Sequence, residues 1–253
     1  MRNRMLAGIA AVLFIAGPLH AQSGPSSATG PYIRAEAGYT KAVNPNFRDD
    51  NPSSANCFLI AAAGPTCNGE LNKLGSGWTM GAGIGYRFAG GIRAGVSYNH
   101  RNGLELRGRD PAGTDFDPAV KSDTVMLSGT FDIPVKLGPI SPHIGLGIGR
   151  SKNKMDPIRW FDAGPPVDRG TLTGGTKNST AWQVEIGGDI DLSGGWVLEI
   201  GYRYTDLGKI VKNAGPDQAP STLTGPFNAS GVTGPASGKL RTNELLMAVR
   251  FGF

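Results

Sequence analysis

Long apolar runs are missing from most of this chain. Beyond residue 19 no stretch approaches the ~20 apolar residues of a membrane-spanning helix, and the mean hydropathy is −0.18. Charge is scarce as well: 18% of residues are Asp, Glu, Lys or Arg, below the usual ~25%. No basic run of five occurs, which argues against nucleic acid as a partner. Leu/Ala/Glu/Lys-rich stretches are absent, which argues against a helical bundle. Two cysteines, Cys57 and Cys67, have no nearby histidine and make a poor zinc site.

Glycine is abundant, with 39 residues in 253 and no collagen period. Hydrophobic residues at 39% are too many for a chain disordered throughout. The formal charge is +5, and two of those charges, Arg2 and Arg4, belong to the N-terminal segment.

That segment has the layout of a secretory signal. Arg2 and Arg4 form a basic start, Met5 to Leu19 an apolar centre, and Ala21 a small residue before a cleavage point at Gln22. A membrane anchor is the competing reading; the run is short for it, and Gly17-Pro18 disfavours a continuous helix. The expected organisation is a signal peptide at 1–21, a short periplasmic segment at 22–30 and one domain at 31–253. Export suits a bridge between Cys57 and Cys67, with two free thiols as the alternative.

Period-two alternation dominates the remainder and predicts eight strands. They fall at 31–40, 76–88, 91–101, 122–133, 140–151, 179–191, 196–206 and 240–253. The connections alternate between long and short, as in an up-and-down barrel with one rim outside the cell and the other in the periplasm. One face of these strands is apolar and carries no charge. The other holds Arg34, Arg87, Arg93, Arg101, Arg203 and Arg250 beside Glu36, Asp132, Glu185, Asp189, Asp191, Glu199 and Glu244.

Aromatic placement decides which face points outward. With a periplasmic N-terminus, Tyr39, Trp78, Tyr98, Trp182, Tyr202 and Tyr204 gather near the outer rim. Tyr86, Phe88, Phe131, Trp196, Phe251 and Phe253 gather near the inner one. Trp78 and Phe88, ten residues apart on a strand tilted ~40°, are about 25 Å apart along the axis, the height of an outer-membrane apolar band. A soluble barrel has no reason to sort its aromatics into two girdles. Glycine-lined stretches such as Gly81-Ala-Gly83-Ile-Gly85 and Gly145-Leu-Gly147-Ile-Gly149 leave room inside for long charged side chains.

On these residues the chain resembles the small eight-stranded outer-membrane barrels of the OmpA-transmembrane-domain, OmpX and opacity-protein type. The terminal run Leu245 to Phe253, alternating apolar residues ending in Phe, is similar to the strand that the barrel-assembly machinery reads. The resemblance implies an all-β, eight-stranded antiparallel transmembrane barrel with long extracellular loops and short periplasmic turns. It also implies periplasmic chaperones and the assembly machinery as partners, with Phe253 as the assembly signal. No peptidoglycan-binding domain follows the barrel pattern.

Chemistry is sparse. Ser97 and His100 lie three apart, on opposite sides of one strand, and His143 is followed two residues on by Gly145 rather than by a serine. This speaks against an enzyme and leaves a lipid-modifying activity as the remote alternative. The Gly-x-Gly repeats lack the third glycine of a dinucleotide site, so no cofactor is expected. Asp49-Asp50 and the Asp115/Asp117 pair offer too few oxygens for a cation site. The best functional candidates are the interior charges Arg34, Glu36, Glu185, Glu199, Arg203, Glu244 and Arg250. They form either a polar plug or a gated, narrow ion path. Basic loop residues suggest outer-membrane lipids, including lipopolysaccharide, as partners, and Arg159-Trp160-Phe161 suggests a contact for an unidentified surface ligand. Solvated loops are the plainer reading. The expected protein is a monomeric outer-membrane barrel with structural and surface-interaction roles; a porin is the runner-up.

Overall fold

The computed structural model describes residues 29–43, 45–50, 73–109, 114–116, 118–162, 168–216 and 232–253. The signal segment, Cys57, Cys67 and Asp117 lie outside the described residues. Alternating apolar and polar side chains give strands here and no α-helix; a single 3-10 turn, Ala89–Gly91, is the one helical piece among the described residues.

Eight long strands form the barrel: β1 (Gly30–Val43), β2 (Ser76–Arg87), β3 (Ile92–Arg109), β4 (Ala119–Asp132), β5 (Ile140–Met155), β6 (Gly175–Ser193), β7 (Trp196–Lys212) and β8 (Ala236–Gly252). Each pairs antiparallel with the next, and β8 closes on β1. One circuit of paired residues fixes the geometry. It runs Phe251, Ile33, Ile84, Val96, Leu127, Ile148, Trp182, Asp206 and back to β8 at Arg241. The return falls ten residues from the start, a shear of ten, which for eight strands means a tilt of about 40°. A barrel of this size has an interior only wide enough for side chains.

Short turns close one end. Gly194–Gly195, at φ 61° and 84°, form the two-residue hairpin between β6 and β7, a conformation open to glycine. At the other end the strands run further than alternation predicts. β3 continues to 109, β5 to 155 and β7 to 212, while β4 begins at 119, β6 at 175 and β8 at 236. The expected loops at 102–121, 152–178 and 207–239 are therefore partly barrel wall.

Bulges explain the discrepancy on β3 and β7. The register slips between Arg101 and Leu104, and again between Asp206 and Lys209. Gly103 (φ 80°) and Gly208 (φ 78°) take left-handed backbone there, and each donates its N–H to a side-chain oxygen, of Asn102 (2.7 Å) and Asp206 (2.9 Å). An extra residue inverts the parity, so the period-two pattern breaks although the strand does not. Further out, Thr114–Phe116, Ile158–Asp162 and Asp168–Leu172 form a small sheet continuing from β3, and Arg159, Trp160 and Phe161 lie on its middle strand.

Candidate functional site

The interior-facing positions place six arginines and six carboxylates in one connected network. Toward the short-turn end Arg87 pairs with Asp132 (2.8 Å), and Arg93 contacts Asp132 (2.7 Å), Asp189 (3.3 Å) and Glu199 (2.9 Å). Arg250 reaches Glu199 (2.6 Å) and Asp189 (2.5 Å). Arg34 bridges Glu36, Glu185 (3.0 Å) and Glu199 (2.6 Å). Arg203 joins Glu36 (2.7 Å) to Glu244 (2.7 Å), and Arg101 closes the chain on Glu244. His143 Nδ1 stands 2.7 Å from Asp189. All seven lumen candidates from the sequence thus lie in one network, and each touches at least one other of them directly. Arg101 and Arg203 are completely buried. Charges held so far from water survive only when paired; Arg34, Arg93, Arg101, Arg203 and Arg250 each also donate a hydrogen bond to a network carboxylate, while Asp132 is held by ion pairs alone.

Glycine makes the space. A Cβ at Gly85 would stand 2.4 Å from the Tyr32 ring, so the tyrosine lies across bare backbone, with the Arg250 guanidinium 5.6 Å from its ring centre. Beside it a cavity of about 50 Å³ is lined by Arg34, Arg93, His143, Glu185 and the glycines 83, 95 and 145. That is room for water, not for a solute.

Toward the long-loop end the lumen changes character. Phe47, Leu104, Val120, Met155, Leu207, Ile210, Ala236 and Leu240 form one buried cluster with Ala42, Leu74, Met126 and Ala181. Seven of the eight strands contribute, so the cluster crosses the lumen. Polar groups tie it across. Ser151 Oγ donates to Leu207 O (2.6 Å), and Asn153 Nδ2 donates to Leu207 O (2.7 Å) and Lys209 O (2.9 Å), joining β5 to β7 past β6. Phe47 arrives on a strap, residues 45–50, that lies along the end of β8. Lys239 N donates to Pro45 O (2.8 Å), Asp50 N to Pro235 O (2.9 Å), and Ser237 Oγ to the Asp50 carboxylate (2.5 Å). Gly238 admits the strap, because a Cβ there would meet Pro45 O at 2.8 Å and Phe47 at 3.0 Å.

The outer wall is apolar. Tyr39, Trp78, Tyr98, Trp182 and Tyr202 are exposed toward the long-loop end, and Tyr86, Phe88, Trp196 and Phe253 toward the short-turn end. Phe251 departs from the expected girdle role: it is only 7% exposed, because the rings of Trp196 (4.6 Å) and Phe253 (5.2 Å) cover it.

A family model described as the outer membrane protein beta-barrel domain matches residues 8–229. The chain belongs to this family. As an outer-membrane barrel it resides in the outer membrane of a Gram-negative bacterium. An uncharacterized protein of Brucella suis is 24% identical over 223 residues, covering 78% of this chain and 75% of that one. Among solved structures, the outer membrane protein OprG of Pseudomonas aeruginosa is similar in fold, with a TM-score of 0.55 and 12% identity over 91% of this chain and 100% of that one.

The outer-membrane barrel brings no catalytic set together at its sequence candidates. Ser97 lines the lumen cavity, while His100 faces outward and contacts Asp123 (2.8 Å) beneath Trp78. Asp49 and Asp50 belong to the strap. Sequence reasoning missed the apolar layer at the long-loop end. Leu104 and Ile210 sit beyond the two bulges, and Phe47 sits in what reads as a loop. The signals available were the Asn102-Gly103 pair and Gly208 two residues after Asp206, each an invitation to a bulge.

Proposed function

We propose that this barrel is closed, a non-conducting and non-enzymatic outer-membrane protein that acts through its long-loop end at the cell surface. The observation that carries the reading is the two-part lumen. A charge-balanced arginine–carboxylate network fills one half, and fully buried apolar side chains drawn from around the ring fill the other. An ion would have to cross a layer packed with apolar side chains, in which Ser151 and Asn153 are already hydrogen-bonded across the barrel. The near balance of charge gives no basis for ion selectivity.

In this reading the protein works as a monomer with its loops outward, after export and cleavage near Ala21. Lipopolysaccharide surrounds its rim. Periplasmic chaperones and the barrel-assembly machinery handle the terminal strand, whose outward residues are Leu245, Met247, Val249 and Phe251. The outer sheet that includes Arg159–Phe161 is the place for a surface ligand. A second reading, a narrow channel, draws on the cavity beside Arg34 and Arg93. Liposomes carrying the folded barrel separate the two in an osmotic swelling assay. The closed reading expects swelling no faster than protein-free vesicles in small sugars or salts; swelling that rises with barrel content would overturn it.

A further inference from the structure

Along the outer wall of β5 the side chains change character once. Ile144, Leu146 and Ile148 are exposed and apolar; Arg150, Lys152 and Lys154, the next three on the same face, are exposed and basic. Lys121 of β4 pairs in register with Lys154 and adds a fourth cation. On the β6 side Thr180 and Asn178, both exposed, stand opposite Arg150 and Lys152, and Trp182 stands opposite Ile148. The switch from isoleucine to arginine therefore coincides with the aromatic girdle, where hydrocarbon gives way to headgroups.

Two carboxylates share the patch, and both are engaged. Asp123 accepts from Tyr98 Oη (2.5 Å) and lies 2.8 Å from His100 Nδ1. Asp156 lies between Lys121 (3.0 Å) and Lys154 (3.4 Å). Among the described residues Arg150 forms no ion pair. Four cations against two carboxylates leave a positive surface at headgroup height. On β7 and β8 Arg241 is spent on Asp206 (3.2 Å), while Lys209 and Lys239 are exposed there.

We propose that the Arg150–Lys152–Lys154 stripe, with Lys121, is a seat for the phosphorylated sugar headgroup of an outer-leaflet glycolipid of the lipopolysaccharide type. Positions i, i+2 and i+4 spread the charges over about 13 Å of strand. At the barrel's tilt this rises about 10 Å through the headgroup layer, enough to meet two phosphates carried on one disaccharide. Guanidinium and ammonium groups give phosphate oxygens charge-assisted hydrogen bonds, and Thr180 and Asn178 offer neutral partners for sugar hydroxyls. Acyl chains of the same molecule would lie on Ile144, Leu146, Ile148 and Leu127. The inference rests on the long-loop end facing outward, and it goes beyond a general lipid environment by assigning one sector of the wall.

The test uses the chain folded in zwitterionic detergent and titrated with rough lipopolysaccharide, followed by tryptophan fluorescence. Folding of each variant is read from the heat-dependent gel shift. R150A/K152A/K154A should bind on the order of tenfold more weakly than the parent. K41A/K209A/K239A, which removes three exposed lysines elsewhere, should bind within about twofold of it. The parent should bind enzymatically dephosphorylated lipopolysaccharide as weakly as the stripe variant, a comparison that needs no mutation. Equal binding by stripe and control variants, equal binding of the dephosphorylated lipid, or full competition by inorganic phosphate alone would overturn the proposal. A barrel that conducts but binds through the stripe defeats only the closed-lumen reading; a silent barrel indifferent to the stripe defeats only this one.

Discussion

Glu199→Gln asks whether the lumen charges hold the barrel together. Three guanidiniums converge on the Glu199 carboxylate: Arg34 at 2.6 Å, Arg93 at 2.9 Å and Arg250 at 2.6 Å. Its side chain is 3% exposed, so water does not replace them. Charge-assisted bonds contribute roughly 1.5–3 kcal/mol each, a gross loss of about 5–9 kcal/mol. Relaxation reduces this. Arg34 keeps Glu36 and Glu185, Arg93 keeps Asp132 and Asp189, and Arg250 keeps Asp189. The amide also preserves shape. A net cost of about 3–5 kcal/mol, typical of a broken buried pair, is expected. Urea unfolding from lipid vesicles, read by tryptophan fluorescence, should show the midpoint falling by about 1–2 M at an m-value of ~2–3 kcal/mol/M. Adding Arg250→Gln should cost at least ~1 kcal/mol less than the sum of the two single variants, because the two share one bond. A single-variant loss under ~0.5 kcal/mol would refute the reasoning, since it would mean that the lumen is wet and its charges are solvated.

Other outcomes follow from the same structure. Phe47→Ala empties a fully buried site in the apolar layer and should cost about 3–5 kcal/mol in the same unfolding assay. Gly238→Ala should lift the strap from β8, detected as faster hydrogen exchange at the Lys239 amide that now donates to Pro45 O. Gly208→Ala forces a Cβ into a left-handed bulge and to within 2.3 Å of Ser179 Cβ, for a loss of ~1–3 kcal/mol. Asp156, hydrogen-bonded by Lys121, is held below the ordinary carboxylate range. A depressed carboxylate contributes stability above its unfolded value near pH 4 that is lost as pH falls through the folded one. The pair is partly exposed and screened by solvent, so Asp156→Asn should remove only a few tenths of a kcal/mol of that acid-side dependence. Replacing 158–172 by a short glycine linker should leave the heat-dependent gel shift intact, whereas removing 152–178 cuts into β5 and β6.

The membrane-embedded half of the barrel was legible because alternation is strict there. Ile33, Ile84, Val96, Leu127 and Ile148 form one outward ring, and each reads as apolar at its own period. The charged lumen was legible by the complementary parity, down to Arg34, Glu199 and Glu244. Which carboxylate meets which arginine was not, since partners come from strands far apart in sequence, as with Arg101 and Glu244. The long-loop end was hidden for a different reason. Single-residue bulges at Gly103 and Gly208 shift the phase, and a pattern read at constant period stops at 101 and 206. Phe251 shows the limit of parity alone: it has the outward register, yet neighbouring rings cover it.

The central claim is that apolar side chains from around the ring seal the lumen. Single-channel recording of the folded barrel in a planar bilayer tests it most directly. The account predicts silence at all moderate voltages, in the parent chain and in Glu199→Gln alike. Reproducible current steps whose size or selectivity changes with the charge at Glu199 or Glu244 would contradict it.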